Sequence, residues 1–359
     1  MFIYMLLFGG LSFFAILEML TSISRVYIRF VFSLFVLLFF SLSFLRWQNG
    51  TDWYAYYNLF VYGMFSEHYE FGYLLFIRLV HFFTDDYTAF LFIQGFIFYA
   101  LFLVFAKKIN DLYFFNEERS CYFITLLYLY GFDFAGLFFV RSTIAYMLCL
   151  VALIDIVKNK KNTFIAKVLI ATTFHYTSIF FLLAYPLFRL GKIDRNTLLG
   201  WFGLGGLFVF ISQYIDIPSL IGSFKYSLYL SSKAGNTLGI GFLRWLFLCV
   251  CACIFFPYIK QKYTIESYKI YEGIANIYFF GFFLYCIANQ RYPVLLRSAG
   301  LFMSSITLSF PFIVKTLSPF KQIIFTLSLI AFCFVSLYGN LVGVYSHLYI
   351  PFHFFWDFH

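Results

Sequence analysis

VFSLFVLLFFSLSFLRWQNGTDWYAYYNLF (residues 31–60) decides the fold. It completes an apolar run beginning at residue 28 and near the ~20 residues that a bilayer helix needs, then turns polar at Arg46. The run is continuous rather than alternating, so it reads as a spanning helix and not as a barrel strand. The pattern repeats along the chain. Apolar runs predict spans near 3–20, 28–45, 87–106, 120–137, 141–157, 198–213, 240–257, 270–288, 295–316 and 321–341. With 63% hydrophobic and 11% charged residues, the composition excludes a soluble globular class and any sizeable aqueous domain. The polar intervals 46–70 and 214–239 are only loop-sized, so residues 1–359 read as one transmembrane domain.

Two segments need a separate reading. FGYLLFIRLVHFF (71–83) is too short to span and carries Arg78, which suits an amphipathic helix lying at the membrane interface. FIAKVLIATTFHYTSIFFLLAYPLFRL (164–190) has His175 near its middle and is either one tilted span or a re-entrant hairpin. Charge placement chooses the hairpin. With the N-terminus outside, the cytoplasmic side receives Arg25, Arg29, Lys107, Lys108, Arg119, Lys158, Lys160, Lys161, Lys167, Arg189, Lys192, Arg195, Lys260, Lys262, Lys269, Lys315 and Lys321. The outer side keeps Arg46, Arg78, Arg141, Lys225, Lys233, Arg244, Arg291 and Arg297, a partition of 17 against 8. A single span would put Lys260–Lys269 outside. The expected class is an all-α polytopic membrane protein of about ten spans, a re-entrant hairpin and an interfacial helix. The net charge of +9 follows from cytoplasmic-loop bases and does not call for nucleic acid. Residues 1–19 lack a basic start and a small-residue cleavage site, so they read as the first span. All seven cysteines lie in apolar runs, as packing groups and not metal ligands.

The candidate chemistry lies where ionisable groups meet the membrane, since such groups are expensive there and usually functional. Arg46 and Asp52 flank Gly50, which permits a sharp turn. Trp53, Tyr54, Tyr56 and Tyr57 follow as an aromatic wall suited to sugar rings. Arg141 opens a span on the outer side, against the positive-inside bias, and its guanidinium fork suits phosphate. His175 sits among Thr172, Thr173, Tyr176, Thr177 and Ser178, a polar patch of the kind tolerated at membrane depth where it lines a cavity. Arg291 and Arg297 flank Pro293 as a second candidate diphosphate clamp. Glu70 is a further outer carboxylate, and Arg244 extends the cationic set. Each has a structural reading beside the functional one: a belt, an internal ion pair, a packed histidine or a headgroup anchor. No Walker-type loop, zinc motif, nucleophile elbow or Asp-x-Asp motif occurs, so ATP, metals and other cofactors are not expected.

Taken in order, these pieces resemble the EpsG-like group of Wzy-type bacterial polysaccharide polymerases. The resemblance rests on Arg46 with Gly50-Thr51-Asp52 and Tyr56, on Glu70-Phe71-Gly72-Tyr73, on Val140-Arg141-Ser142-Thr143-Ile144-Ala145, on Phe174-His175-Tyr176-Thr177-Ser178, and on Arg291-Tyr292. It implies a GT-C-like fold and an enzyme at the outer face of the bacterial inner membrane, joining oligosaccharide repeat units carried on undecaprenyl diphosphate. Arg46, Arg141, Arg291 and Arg297 would hold the diphosphate; Trp53, Tyr56 and Glu70 would hold sugar. Asp52 and His175 would supply the catalytic base. Membrane lipid is the medium, and a separate chain-length regulator is the implied partner. A flippase of lipid-linked oligosaccharides is the rival reading; it needs the same arginines, but related halves are not visible. An O-acyltransferase is a third, set against cationic groups that lie outside while acyl-CoA is cytoplasmic.

Overall fold

The computed structural model describes residues 1–20, 23–64, 66–114, 119–138, 141–191, 200–201, 203–204, 207, 265–288, 293–343 and 346–358. Helices α1 (Phe2–Leu20), α2 (Arg25–Leu45), α3 (Trp53–Tyr62), α4 (Phe71–His81), α5 (Tyr87–Phe114) and α6 (Tyr122–Asp133) come first. Then follow α7 (Arg141–Val157), α8 (Lys161–Phe174) and α9 (Ala184–Phe188). The later part holds α10 (Ile265–Ala288), α11 (Pro293–Met303), α12 (Phe310–Thr316) and α13 (Pro319–Val342). Among the described residues there is no strand beyond a single bridge between Arg46 and Phe354. Five described stretches are long and apolar enough to cross a bilayer: Phe2–Leu20, Arg25–Leu45, Tyr87–Leu112, Leu296–Thr316 and Pro319–Val342. The protein is an all-helical membrane protein. The expected span at 240–257, with Arg244, lies outside the described residues, as do most of 198–213, Lys225 and Lys233.

The chain forms two compact units, Met1–Ile154 with Ala166–Tyr176 and Leu317–His359, and Asp155–Ile165 with Thr177–Thr316. In the first unit α6 is central, packing against α1, α2, α5 and α13, and every residue from Tyr122 to Tyr130 is buried. Twelve residues make ~18 Å of helix, less than the ~30 Å hydrocarbon core, so where a span at 120–137 is expected the structure has a shorter inner helix. Its start is held by another helix. The Glu18 carboxylate of α1 accepts the Tyr122 and Phe123 amides at 2.8 and 2.9 Å and the Ser120 hydroxyl. Asn110 accepts the Cys121 amide at 2.8 Å. Helix N-termini leave amides without intrahelical partners and favour an anion, and here both needs are met by one buried side chain. Glu18→Ala strands those donors where water does not reach. It should lower stability by roughly 2–4 kcal/mol, read as an earlier thermal transition in detergent, with Glu18→Gln losing less.

Helices α2 and α5 run antiparallel. At one end Arg25 donates to the Phe114 carbonyl at 2.6 Å and pairs with Asp111 at 3.0 Å; at the other Trp53, beyond α2, meets Tyr87, with ring centroids 5.4 Å apart. The 21 residues of α2 separate these ends by about 30 Å. The first end is basic, with Arg25, Arg29, Lys107 and Lys108; the second carries the candidate site.

At that second end the loop after α2 is pinned by a segment far along the chain. Trp47 donates to the His353 carbonyl at 2.9 Å and Gly50 to that of Leu348 at 2.8 Å. Asn49 donates to the Pro351 carbonyl and accepts the His353 amide. Gly50 has φ +105°, a backbone conformation that side-chain-bearing residues avoid, so the expected turn is present.

Helix α8 stops at Phe174, and after His175 the chain tightens into a 3-10 turn (Tyr176–Leu183). In the second unit Phe164 stacks on Tyr185 at 6.0 Å and lies 6.5 Å from Phe181, while Arg189 pairs with Asn159. The two ends of the 159–189 segment therefore meet. In the same unit α10 packs on α9 and α11. The run expected as a span at 295–316 is α11 and α12 joined through a 3-10 turn (Ser304–Ser309).

Candidate active site at the Arg141–Glu70 pair

Three separate stretches meet in the first unit, each at a helix end. Glu70 is the residue before α4, with an extended backbone (φ −71°, ψ 144°) that turns its side chain out of the helix. Arg141 is the first residue of α7. His175 closes the last turn of α8, its amide donating to the Ala171 carbonyl at 2.9 Å. Gly72 allows the approach: a Cβ there would overlap the Thr173 side chain and stand 2.8 Å from the Thr173 carbonyl. The first turn of α4 is thereby laid on the last turn of α8.

Glu70 is the hub. One carboxylate oxygen accepts a hydrogen bond from Arg141 in an ion pair. The other accepts the Tyr176 amide at 3.1 Å and stands 3.3 Å from His175 Nδ1, within ion-pair distance but off the line of a hydrogen bond. Burial alone would raise the Glu70 pKa, but His175, Arg141 and the Tyr176 amide outweigh it and hold the group below the usual carboxylate range. Glu70 is therefore an anion at neutral pH. Its side chain is 3% exposed, whereas the Arg141 side chain is 18% exposed, so the guanidinium keeps an open side. Arg141 also lies over the Tyr69 ring at 4.9 Å. His175 is buried, and Nε2 has no hydrogen-bond partner.

Around this trio lies an aromatic cluster from α3, α4 and the start of α5. Trp53 stacks on Tyr57 at 4.9 Å, and Tyr56 meets Tyr73 edge-on at 5.8 Å. Trp53 Nε1 and the Tyr73 and Tyr87 hydroxyls are buried without hydrogen-bond partners. Buried polar atoms are normally paired, so three such atoms in one cluster mark a place able to receive further hydrogen-bonding groups.

A family model described as the EpsG family matches residues 28–354, nearly the whole chain. The chain belongs to the EpsG family. EpsG is a Wzy-like polysaccharide polymerase family. No curated protein and no solved structure matches the chain.

In this EpsG-family protein the residues singled out by sequence fall into three groups. Arg141, His175 and Glu70 come together as described. Arg46 and Trp53 are turned into the protein. Arg46 is 2% exposed and donates to the carbonyls of Ser43, Asn49 and Phe138 at 3.0, 2.9 and 3.0 Å. That geometry ties the loop after α2 to the stretch before Arg141, and faces carbonyls instead of an anion. Trp53 is 2% exposed, its ring already stacked on Tyr57. Tyr56 is buried too, beside Arg141. Asp52, half-buried, precedes α3 without a side-chain cap bond, and among the described residues no contact joins it to His175. Arg297 is exposed on α11 in the other unit, and Arg291 lies outside the described residues.

Tyr69 and Tyr73, which frame Arg141 and Glu70, escape sequence reading because tyrosines are common throughout this chain. The useful signal is that Tyr69, Glu70 and Tyr73 lie at the start of α4. An acid at that position can cap the helix or leave it, and here it reaches out to a cation.

Proposed function

We infer that this EpsG-family protein polymerises undecaprenyl-diphosphate-linked oligosaccharide repeat units at the outer face of the bacterial inner membrane. The growing glycan leaves its lipid diphosphate and joins the acceptor sugar of a new lipid-linked unit. The observation that carries the reading is Arg141, a guanidinium with an open side at a helix end, next to a buried imidazole whose Nε2 is unpartnered. Arg141 takes the charge that develops on the departing diphosphate, and His175 Nε2 accepts the proton of the acceptor hydroxyl. Asp52 orients the acceptor from the water side. The unpaired Trp53, Tyr73 and Tyr87 atoms support a role for the aromatic cluster in holding sugar hydroxyls.

The meeting of Asn159 with Arg189 supports the re-entrant hairpin reading of 164–190, with His175 at its turn. The basic end marked by Arg25 and Lys107 supports an outward-facing site at the opposite end. The guanidinium supplies the positive charge that a divalent cation would otherwise bring to the diphosphate, so the proposed reaction is metal-independent. A chain-length regulator acts as a separate partner. The test is deletion of the gene followed by gel analysis of surface polysaccharide. Loss of the ladder with retention of a single capped repeat unit is expected, and loss of even that unit would instead indicate an exporter.

A further inference from the structure

We propose that Glu70 is a positioning residue that the donor's diphosphate displaces from Arg141, so that the imidazole is armed only when the donor is bound. The proposal rests on the polymerase reading above and adds the order of events within that site.

The geometry points there because a single carboxylate serves both an arginine and a histidine. One oxygen of Glu70 faces Arg141, and the other lies 3.3 Å from His175 Nδ1. With Glu70 on the guanidinium, Arg141 is already neutralised, and the carboxylate occupies the ground that a phosphate oxygen would take. The two anions cannot share that ground cheaply, since like charges brought together in a partly buried site repel strongly. A diphosphate carries more charge and more oxygens than a carboxylate, and Arg141 has five donor hydrogens in a fork matched to it. Arg141 can be reached from its open side, whereas Glu70 is closed off from water. The incoming anion therefore takes the arginine, and Glu70 turns toward the second partner already beside it.

That partner is His175. A carboxylate on Nδ1 fixes the proton on that nitrogen and leaves the lone pair on Nε2, and it stabilises the imidazolium that forms later. The Tyr176 amide at 3.1 Å and the contact of Gly72 with Thr173 keep Glu70 and His175 in register while Arg141 changes partner. The bookkeeping of the transfer is then complete. The acceptor oxygen forms the new bond to the donor's anomeric carbon, and the bond from that carbon to the diphosphate oxygen breaks. The electron pair leaves with the diphosphate, held by Arg141. The acceptor's proton goes to His175 Nε2, giving an imidazolium paired with Glu70, and is released to water when the products part.

The consequence is a split between binding and turnover. Glu70→Gln removes the competing charge while its amide oxygen can still accept the Tyr176 amide. Farnesyl diphosphate, a short polyprenyl diphosphate, is the probe, titrated into the full-length protein in detergent and followed by tryptophan fluorescence. Glu70→Gln should bind it about tenfold more tightly than wild type, as expected when a like charge is removed from the site. The same variant should make little polymer in cells. Arg141→Ala should abolish the binding, and Glu70→Asp should restore part of the polymer. Unchanged or weaker binding by a folded Glu70→Gln, with wild-type binding that still depends on Arg141, would overturn the exchange and leave the polymerase reading standing. Absence of Arg141-dependent binding in wild type, together with normal polymer from Arg141→Ala, would overturn both.

Discussion

Arg141→Lys should lose most of the polymer while the protein is still made, inserted and folded. A lysine keeps the positive charge beside Glu70, so the buried carboxylate retains a counter-ion and the cost of stranding it, about 3–5 kcal/mol, is avoided. What lysine lacks is the planar fork and the ring contact with Tyr69. The developing charge on a diphosphate is spread over several oxygens, and a point charge cannot grip two of them along fixed directions. Loss of one such preorganised donor lowers turnover by roughly 100- to 1,000-fold, far below what a surface-polysaccharide ladder needs to be visible. Arg141→Ala goes further, because the buried Glu70 then loses its arginine counter-ion and keeps only the Tyr176 amide and His175, and part of the loss will be folding. The lysine variant is therefore the decisive one. A near-normal ladder from Arg141→Lys would remove the bidentate argument, and one from Arg141→Ala would remove the site.

His175→Ala should lower polymer formation by roughly 100- to 10,000-fold, the usual range for deleting a general base. The side chain is buried, but its ring makes no hydrogen bond that the fold would miss, so the variant should remain folded in detergent. Asp52→Ala should have a smaller effect, since its side chain caps nothing and touches neither Arg141 nor His175 among the described residues. Comparison of the two in cells separates the roles. Full polymer from His175→Ala with none from Asp52→Ala would pass the base to Asp52. Normal polymer from both would dismiss the catalytic assignment altogether.

The helical membrane class is legible in this sequence because nothing else tolerates such long continuous apolar runs. Some helix ends fall where a charge closes an apolar run, as at Arg46 and Arg141. What sequence cannot supply is depth. The run at 120–137 is apolar enough for a span, yet α6 uses twelve residues of it, because the helix lies among other helices and its start is fixed by Glu18. Nothing in the first run marks Glu18 as special, since its role depends on three donors more than a hundred positions away. Partner choice is equally hidden. Arg46 and Arg141 both follow the pattern of an arginine at the edge of an apolar run, and only packing shows that one faces three carbonyls while the other faces a carboxylate. Asp52 and Glu70 are a matching pair of acids, each just before a short helix. Asp52 has the aromatic neighbours, but it is Glu70, at the head of α4, that lies against the arginine and the imidazole.

The strap of residues 346–358 over the loop at 46–50 has a consequence for biogenesis. Some three hundred residues separate Gly50 from Leu348, so the loop waits through nearly all of translation for its hydrogen-bond partners. Until then the Trp47 and Gly50 amides lack these carbonyls, and the arch that Arg46 builds toward Phe138 lacks its cover. Completion of this face is thus tied to the insertion of α13, which must deliver the strap to the correct side of the bilayer. A nascent chain cut short before Leu348 would carry Arg141, Glu70 and His175 and still lack the hydrogen-bonded cover over residues 46–50.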